Sequence, residues 1–226
     1  MMNAFRITCC VVALVSASIN TLHAGILVFD DRADFLNRTS AQSVTGTLPN
    51  LGEVTGGSIQ LGSATISLGP SATRLFVGTN NISGLPIPAN NDWTARLPGN
   101  DIAITGLENL NVGLGNDVFS FGFDFVEPQS DPNVGAFVDS TFSVRLLDDG
   151  IEVGAFSYNA PNDTAAFVGV WSMAAFDSVE IRETTGGVEN EFFGEFYAGT
   201  AAVPEPMSAA CLGSLALLGM LRRRRR

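Results

Sequence analysis

The sequence predicts an all-β fold, a single antiparallel β-sandwich, and three observations carry that prediction. The first is the run Val118-Phe-Ser-Phe-Gly-Phe-Asp-Phe-Val126. Its period of two places Phe119, Phe121, Phe123 and Phe125 on one face and Ser120, Gly122 and Asp124 on the other. The second is the pair of alternating segments 141–147 and 151–158, separated by Asp148-Asp149-Gly150. An Asp-Gly step between two such segments is a hairpin signal, because both turn residues tolerate positive φ. The third is the near absence of a 3.6-residue apolar period between short, turn-punctuated apolar runs.

The elements follow in chain order. Strands are expected at 25–29, 58–61, 64–68, 74–77, 101–105 and 111–114, and the aromatic run 118–126 follows. Beyond the hairpin, strands are expected at 165–171, 178–183 and 191–197. Asn159-Ala-Pro-Asn-Asp163 and Thr184-Thr-Gly-Gly187 supply turns between them. One short helix is predicted at 32–39, with Asp31 as its N-cap. The polar stretch 78–91 reads as a loop. Composition shifts near residue 117, from Gly, Asn, Ser and Thr to aromatic. No linker marks the shift and neither half is self-sufficient, so one domain is expected.

The chain has 226 residues, 12 arginines, no lysine, 23 acids and a net charge of −11. Its three cysteines (Cys9, Cys10, Cys211) and its single histidine (His23) lie near the two ends. Between Gly25 and Val203, six arginines face 22 acids, a net charge of −16.

The N-terminus has Arg6, an apolar run from Ile7 to Ala17, a polar stretch, and Leu22-His23-Ala24 before Gly25. That layout predicts a signal peptide over 1–24, with Ala24 as the cleavage site and export through the Sec machinery. At the other end, Val203-Pro204-Glu205-Pro206 precedes an apolar segment, 207–221, and five arginines, Arg222, Arg223, Arg224, Arg225 and Arg226. Fifteen helical residues span about 22 Å, against a hydrocarbon core of roughly 30 Å. The arginines favour the cytoplasmic side. A short span with a basic tail suits transient membrane insertion.

Pro204-Glu205-Pro206, an apolar helix and the terminal arginines resemble the PEP-CTERM sorting signal of Gram-negative bacteria. The resemblance implies recognition and cleavage by exosortase, and an exported protein of the cell envelope, cell surface or extracellular matrix. The domains expected are therefore 1–24, signal peptide; 25–202, β-sandwich; and 203–226, sorting signal. The segments Phe167-Val-Gly-Val-Trp-Ser172, Phe176-Asp-Ser-Val-Glu-Ile181 and Phe193-Gly-Glu-Phe-Tyr197 resemble the closing strands of jelly-roll domains found before this signal. Many relatives of that architecture are carbohydrate-binding or lectin-like modules.

The residue inventory between the ends excludes much chemistry. Without His or Cys there is no Ser-His-Asp or Cys-His site and no typical zinc site. Without Lys there is no Schiff base and no Walker-type phosphate loop. A charge of −16 repels nucleic acid. No cofactor and no catalytic residue is expected.

Three functions remain. The first is a non-enzymatic, matrix-associated protein. The second is a carbohydrate-binding module, with Trp93 as its candidate ligand-binding residue and Tyr158 and Trp171 more consistent with core or rim positions. The distant third is a glycan hydrolase built on carboxylates, with Glu191 and Glu195 on one face and Glu180 on a neighbouring strand. A structural Ca²⁺ is compatible with clusters at Asp30-Asp31, Asp148-Asp149 and Asn162-Asp163, joined by Asp124, Glu127 or Asp139.

Overall fold

The computed structural model describes residues 25–78, 97–127, 139–186 and 191–202. The expected signal peptide with Ala24, the loop carrying Trp93 and the sorting segment lie outside the described residues.

The strands are β1 (Ile26–Phe29), β2 (Gln42–Ser43), β3 (Gly52–Glu53), β4 (Ser58–Leu61), β5 (Ala64–Leu68), β6 (Ala72–Gly78), β7 (Asp101–Gly106), β8 (Leu110–Val126), β9 (Thr141–Asp148), β10 (Ile151–Tyr158), β11 (Ala166–Thr185) and β12 (Phe192–Gly199). The helix α1 (Arg32–Thr39) covers the range its sequence predicts. Asp31 caps it, its Oδ1 accepting the Asp34 amide at 2.7 Å, and Ser40 closes it in the left-handed region at φ 54°.

Two expected pairs of strands are fused. Residues 111–114 and 118–126 belong to the 17-residue β8, and 165–171 and 178–183 fall largely within the 20-residue β11. Turn-like residues bend these strands without ending them, since pairing resumes after register shifts between Trp171 and Phe176 and between Phe176 and Ser178. The compositional boundary near 117 therefore lies inside a strand.

Each long strand serves both layers of the sandwich. One layer runs β1, the first half of β11, the second half of β8, β12, β7, β6 and β3, with β2 also on β12. The other runs β10, β9, the second half of β11, the first half of β8, β5 and β4. All of these pairings are antiparallel. Because β8 and β11 fold over together, their bends form one end of the sandwich and their termini the other.

Between the layers lies one apolar core. Ile66, Val112, Val144, Leu146 and Val179 enter it from one side, and Leu75, Ile104, Phe121, Phe123, Phe125, Val170, Phe193 and Phe196 from the other. Phe123 sits within 5.7–6.4 Å, centroid to centroid, of Phe121, Phe125, Tyr158, Phe193 and Phe196. Three of the four phenylalanines expected on the core face of β8 are there; Phe119 is only half-buried, at the end where the strand bends.

The hairpin forms as predicted, Ile151 pairing with Asp148 across Asp149 (φ 49°) and Gly150 (φ 79°). On the outer side of the first layer, α1 packs through Phe35 against Phe29, Phe167 and Tyr197.

Candidate functional site

A bulge in β12 decides which side chains reach the outer face of the first layer. Pairing with β8 shifts register between Phe193 and Phe196, so both rings enter the core. The regular alternation expected over Glu191, Phe193, Glu195 and Tyr197 is broken. Tyr197 joins the outer cluster with Phe35, while Glu195 accepts the Ser43 hydroxyl at 3.1 Å and the Tyr197 hydroxyl at 3.4 Å.

Beside them stands Asp124 of β8, whose side chain is 5% exposed. Arg32, at the first position of α1, donates to Asp124 Oδ1 at 2.5 Å, and its guanidinium lies 5.8 Å from the Tyr197 ring centre. Burial pushes the Asp124 carboxyl above its usual range and outweighs the opposing pull of Arg32. The Arg32 side chain is 41% exposed. Arg32, Asp124, Glu195, Tyr197 and Ser43 thus form a polar patch resting on an aromatic ring. Gly194 keeps the floor open, since a Cβ there would come within 2.8 Å of Asp124 Cβ.

A second constellation closes the end of the sandwich where both termini of β8 lie. Glu108 precedes β8, Glu127 follows it, Glu183 is near the end of β11 and Glu191 precedes β12. Glu108, Glu127 and Glu191 are fully buried. Ser140 links two of these carboxylates, its amide donating to Glu127 Oε1 at 2.6 Å and its hydroxyl to Glu191 Oε1 at 2.7 Å. The Glu108 amide donates to Glu183 Oε2 at 2.9 Å. Burial, more than the neighbouring carboxylates Glu183 and Glu127, pushes Glu191 up to about 8 despite the Ser140 bond. Burial first, then Glu191 and Glu183, pushes Glu108 far higher.

The proposed hydrolase glutamates are not brought together. Glu191 joins the buried end, Glu195 the outer face, and Glu180 pairs with Arg145 at 2.7 Å and Arg182 at 3.1 Å. The acidic clusters considered for calcium are similarly dispersed. Asp31 is the helix cap and Asp148-Asp149 the hairpin turn. Asp139 accepts from Asn159 Nδ2 at 3.1 Å, and the Asp163 amide bonds the Glu127 carbonyl at 2.8 Å.

At the bend of β8 and β11, an open groove of about 370 Å³ is edged by Asn116, Asp117, Asp177 and Ser178. Trp171 packs on the α1 cluster and Tyr158 stacks on Phe142 at 5.2 Å, the core or rim positions expected of both. Among the described residues the large exposed apolar side chains are all aliphatic or methionine, so no aromatic ring there stands open to solvent.

Glu108, Glu183 and Ser140 were not singled out by the sequence reading. Glu108 carries no local signal: the apolar Leu107 beside it is exposed while the acid is buried.

No family model matches the chain, and no curated protein matches it. Solved structures resemble it at low scores. The enzymatically active domain of tailspike protein 4 from bacteriophage CBA120 matches at TM-score 0.38 and 16% identity, over 66% of this chain but only 21% of that one. The chain therefore spans about a fifth of that protein's length. CtCBM11 matches at 0.34 and 10% identity, over 71% and 95% of the two chains. A family 32 carbohydrate-binding module from C. perfringens NanJ, solved with galactose, matches at 0.28 and 16%, over 76% and 92%. Likenesses at these scores assign no family and carry over no residue.

Proposed function

We propose that this is an exported, non-enzymatic protein of the cell envelope or extracellular matrix that binds polysaccharide through the outer face of its first layer. One observation carries the reading: beside α1 on the outer face, the partly exposed Arg32, Ser43 and Glu195 gather polar groups over the buried Asp124 and Tyr197. Saccharides present hydroxyls in pairs above apolar C–H faces. Planar carboxylate and guanidinium groups match the hydroxyls. The absence of His, Cys and Lys from 25–203 supports binding over nucleophilic or metal-hydrolytic chemistry.

The proposed route is a signal peptide over 1–24, a jelly-roll-like body over 25–202, and a PEP-CTERM signal over 203–226 handled by exosortase. Sequence features support it, namely Ala24, Pro204-Glu205-Pro206 and Arg222 to Arg226. Among the described residues no helix is long and apolar enough to cross a membrane, and the segment 207–221 is not among them. Protein ending before Pro204 should pass to the periplasm or medium without a membrane-bound stage. A mature protein that keeps its arginine tail makes the segment an anchor.

Binding is tested by affinity electrophoresis of the full chain through gels containing soluble polysaccharides, comparing wild type with Glu195→Gln, Ser43→Ala and Trp93→Ala. Retention lost in Glu195→Gln and kept in Trp93→Ala supports the outer face. The reverse pattern moves the site to the Trp93 loop, and equal retention of all variants that fades with salt leaves only charge-driven association. Glycan cleavage abolished by Glu195→Gln overturns the non-enzymatic reading.

A further inference from the structure

β1 forms the edge of the first layer opposite β3, and it pairs on one side only, with β11. Its residues Ile26-Leu27-Val28-Phe29 include no charge, no glycine and no proline. Leu27 is 38% exposed and Val28 48%, and Met173 of β11, bonded to Gly25, is 52% exposed. Soluble proteins guard such an edge with lysine, proline, a bulge or a covering segment. This chain has no lysine, and among the described residues no strand lies along the outer side of β1.

Pairing with β11 fixes which backbone groups point outward. The Met173 amide donates to the Gly25 carbonyl at 3.1 Å, and Leu27 stands opposite Trp171 and Phe29 opposite Gly169. Hydrogen-bonded pairs alternate along an antiparallel ladder. Gly25, Leu27 and Phe29 therefore turn their amides and carbonyls to β11, while Ile26 and Val28 turn theirs to the open edge. An antiparallel partner must meet them with groups that also point outward. A second β1 does so when Leu27 opposes Leu27 of the other copy. Ile26 then opposes Val28, and each such pair exchanges both of its backbone hydrogen bonds. The two Leu27 form a non-hydrogen-bonded pair, in which side chains approach most closely.

Charge favours this partner. A basic segment would find no acid on β1 to hold it, and an acidic one would find no cation. The seam between two copies is uncharged, and the −16 carried by residues 25–203 is screened beyond about 8 Å at physiological salt. Cleavage after Ala24, part of the route proposed above, gives Gly25 an α-ammonium, the only amine of a body without lysine. In the symmetric register that nitrogen lies next to the exposed Asp30 of the second copy.

We propose that β1 pairs antiparallel with β1 of a second copy, joining two first layers into one continuous sheet with Leu27 on the two-fold axis. The seam holds few residues, so the dimer is weak and reversible. Antiparallel pairing keeps Leu27 and Phe29 of both copies on the face that carries α1, so the two outer faces look to the same side. A polysaccharide held by Arg32 and Glu195 of one copy then meets the same groups of the other, which raises avidity. That consequence alone rests on the binding proposal.

Intact mass of the exported protein reads its N-terminus, and sedimentation equilibrium at physiological salt reads its association. Wild type is compared with Leu27→Lys, Val28→Pro and Leu51→Lys, the last an exposed apolar residue beside β3 at the opposite edge. The average mass of wild type should rise toward two chains between about 10 µM and 1 mM. Leu51→Lys should follow it. Leu27→Lys should raise Kd at least about tenfold with an unchanged Tm, by placing two like charges on the axis. Val28→Pro removes an outward N–H and no bond to β11, and makes the same comparison if Leu27→Lys does not fold. Leu27→Cys, at a pair position where Cα atoms lie about 4.5 Å apart, should give a disulfide-linked dimer in oxidised glutathione beyond the wild-type background. Ile151→Cys, more exposed but on β10, should not. Wild type that stays monomeric throughout that range overturns the proposal, as does a dimer unchanged in both Leu27→Lys and Val28→Pro. A monomer whose Ile26 and Val28 amides resist hydrogen exchange overturns it too, because a segment of the same chain then covers the edge. A chain that keeps residues 1–24 overturns the cleavage reading alone, and dimerisation through Leu27 still decides this proposal.

Discussion

Gly122 of β8 and Gly169 of β11 face each other in register, and the rings of Phe167 and Phe35 occupy the space that their missing side chains leave. A Cβ on Gly122 would lie 2.6 Å from Phe167 Cζ and 3.2 Å from Phe35 Cε1; one on Gly169 would lie 2.7 Å from Phe167 and 2.9 Å from Phe35. These two glycines are what allows α1 to lie flat on the outer face. Gly122→Ala and Gly169→Ala should each destabilise the protein by about 1–3 kcal/mol through overpacking. Chemical denaturation of the two single variants and the double variant checks this. Because both displace the same two rings, Phe167 and Phe35, the double variant should cost less than the sum.

The Arg32–Asp124 pair should behave as a coupled unit. Arg32→Ala leaves a buried carboxylate unpaired and should cost roughly 1–2 kcal/mol at neutral pH, the arginine being partly exposed. Asp124→Asn should cost less, and adding it to Arg32→Ala should recover part of the loss. The sign with pH follows from the direction of the shift. Asp124 sits above its usual range in the folded state, and losing Arg32 moves it further up. Folding then favours the neutral carboxyl, so the deficit of Arg32→Ala should shrink as pH falls through the carboxylate range. A double-mutant cycle measured at neutral and acidic pH reads both effects.

Both tyrosines of the chain, Tyr158 and Tyr197, are held above the ordinary phenol value of about 10. Burial is the main cause for each. Glu191 and Glu127 add to it at Tyr158, while Asp124 raises and Arg32 lowers Tyr197, which is pushed up to about 12. A phenol raised by folding is favoured as the neutral form, so its contribution to stability is complete below pH 10 and is lost as pH rises through about 12. Ultraviolet titration should therefore show little tyrosinate while the protein is folded, then a joint rise as it unfolds in alkali. Gradual ionisation of either tyrosine near pH 10 in folded protein contradicts these environments.

Periodicity made most of the fold legible. The helix 32–39, the hairpin around Asp149-Gly150 and the inward rings Phe121, Phe123 and Phe125 are local consequences of spacing and turn chemistry. What failed was inference across irregularities. Gly115 and the residues between Trp171 and Ser178 read as ends of strands, yet in the structure they bend strands that pair on both sides. Glu191 and Glu195 read as sharing a face because alternation was assumed to continue, and the bulge between Phe193 and Phe196 separates them. A bulge adds one residue to one strand only, and that depends on the partner strand, which a single segment does not encode.

The sequence by itself determined the class of fold, the exclusion of His, Cys and Lys chemistry between residues 25 and 203, and the expectations for the two ends. Those follow from which residues are present and how they are spaced along one strand. Only the tertiary structure decided that Asp124 meets Arg32 across 92 positions and that Glu108 is buried with Glu191. The physical reason is the folding-over of β8 and β11. It brings residues at the two termini of one strand to the same end of the sandwich, and no local pattern of apolar and polar residues encodes where such a strand turns back.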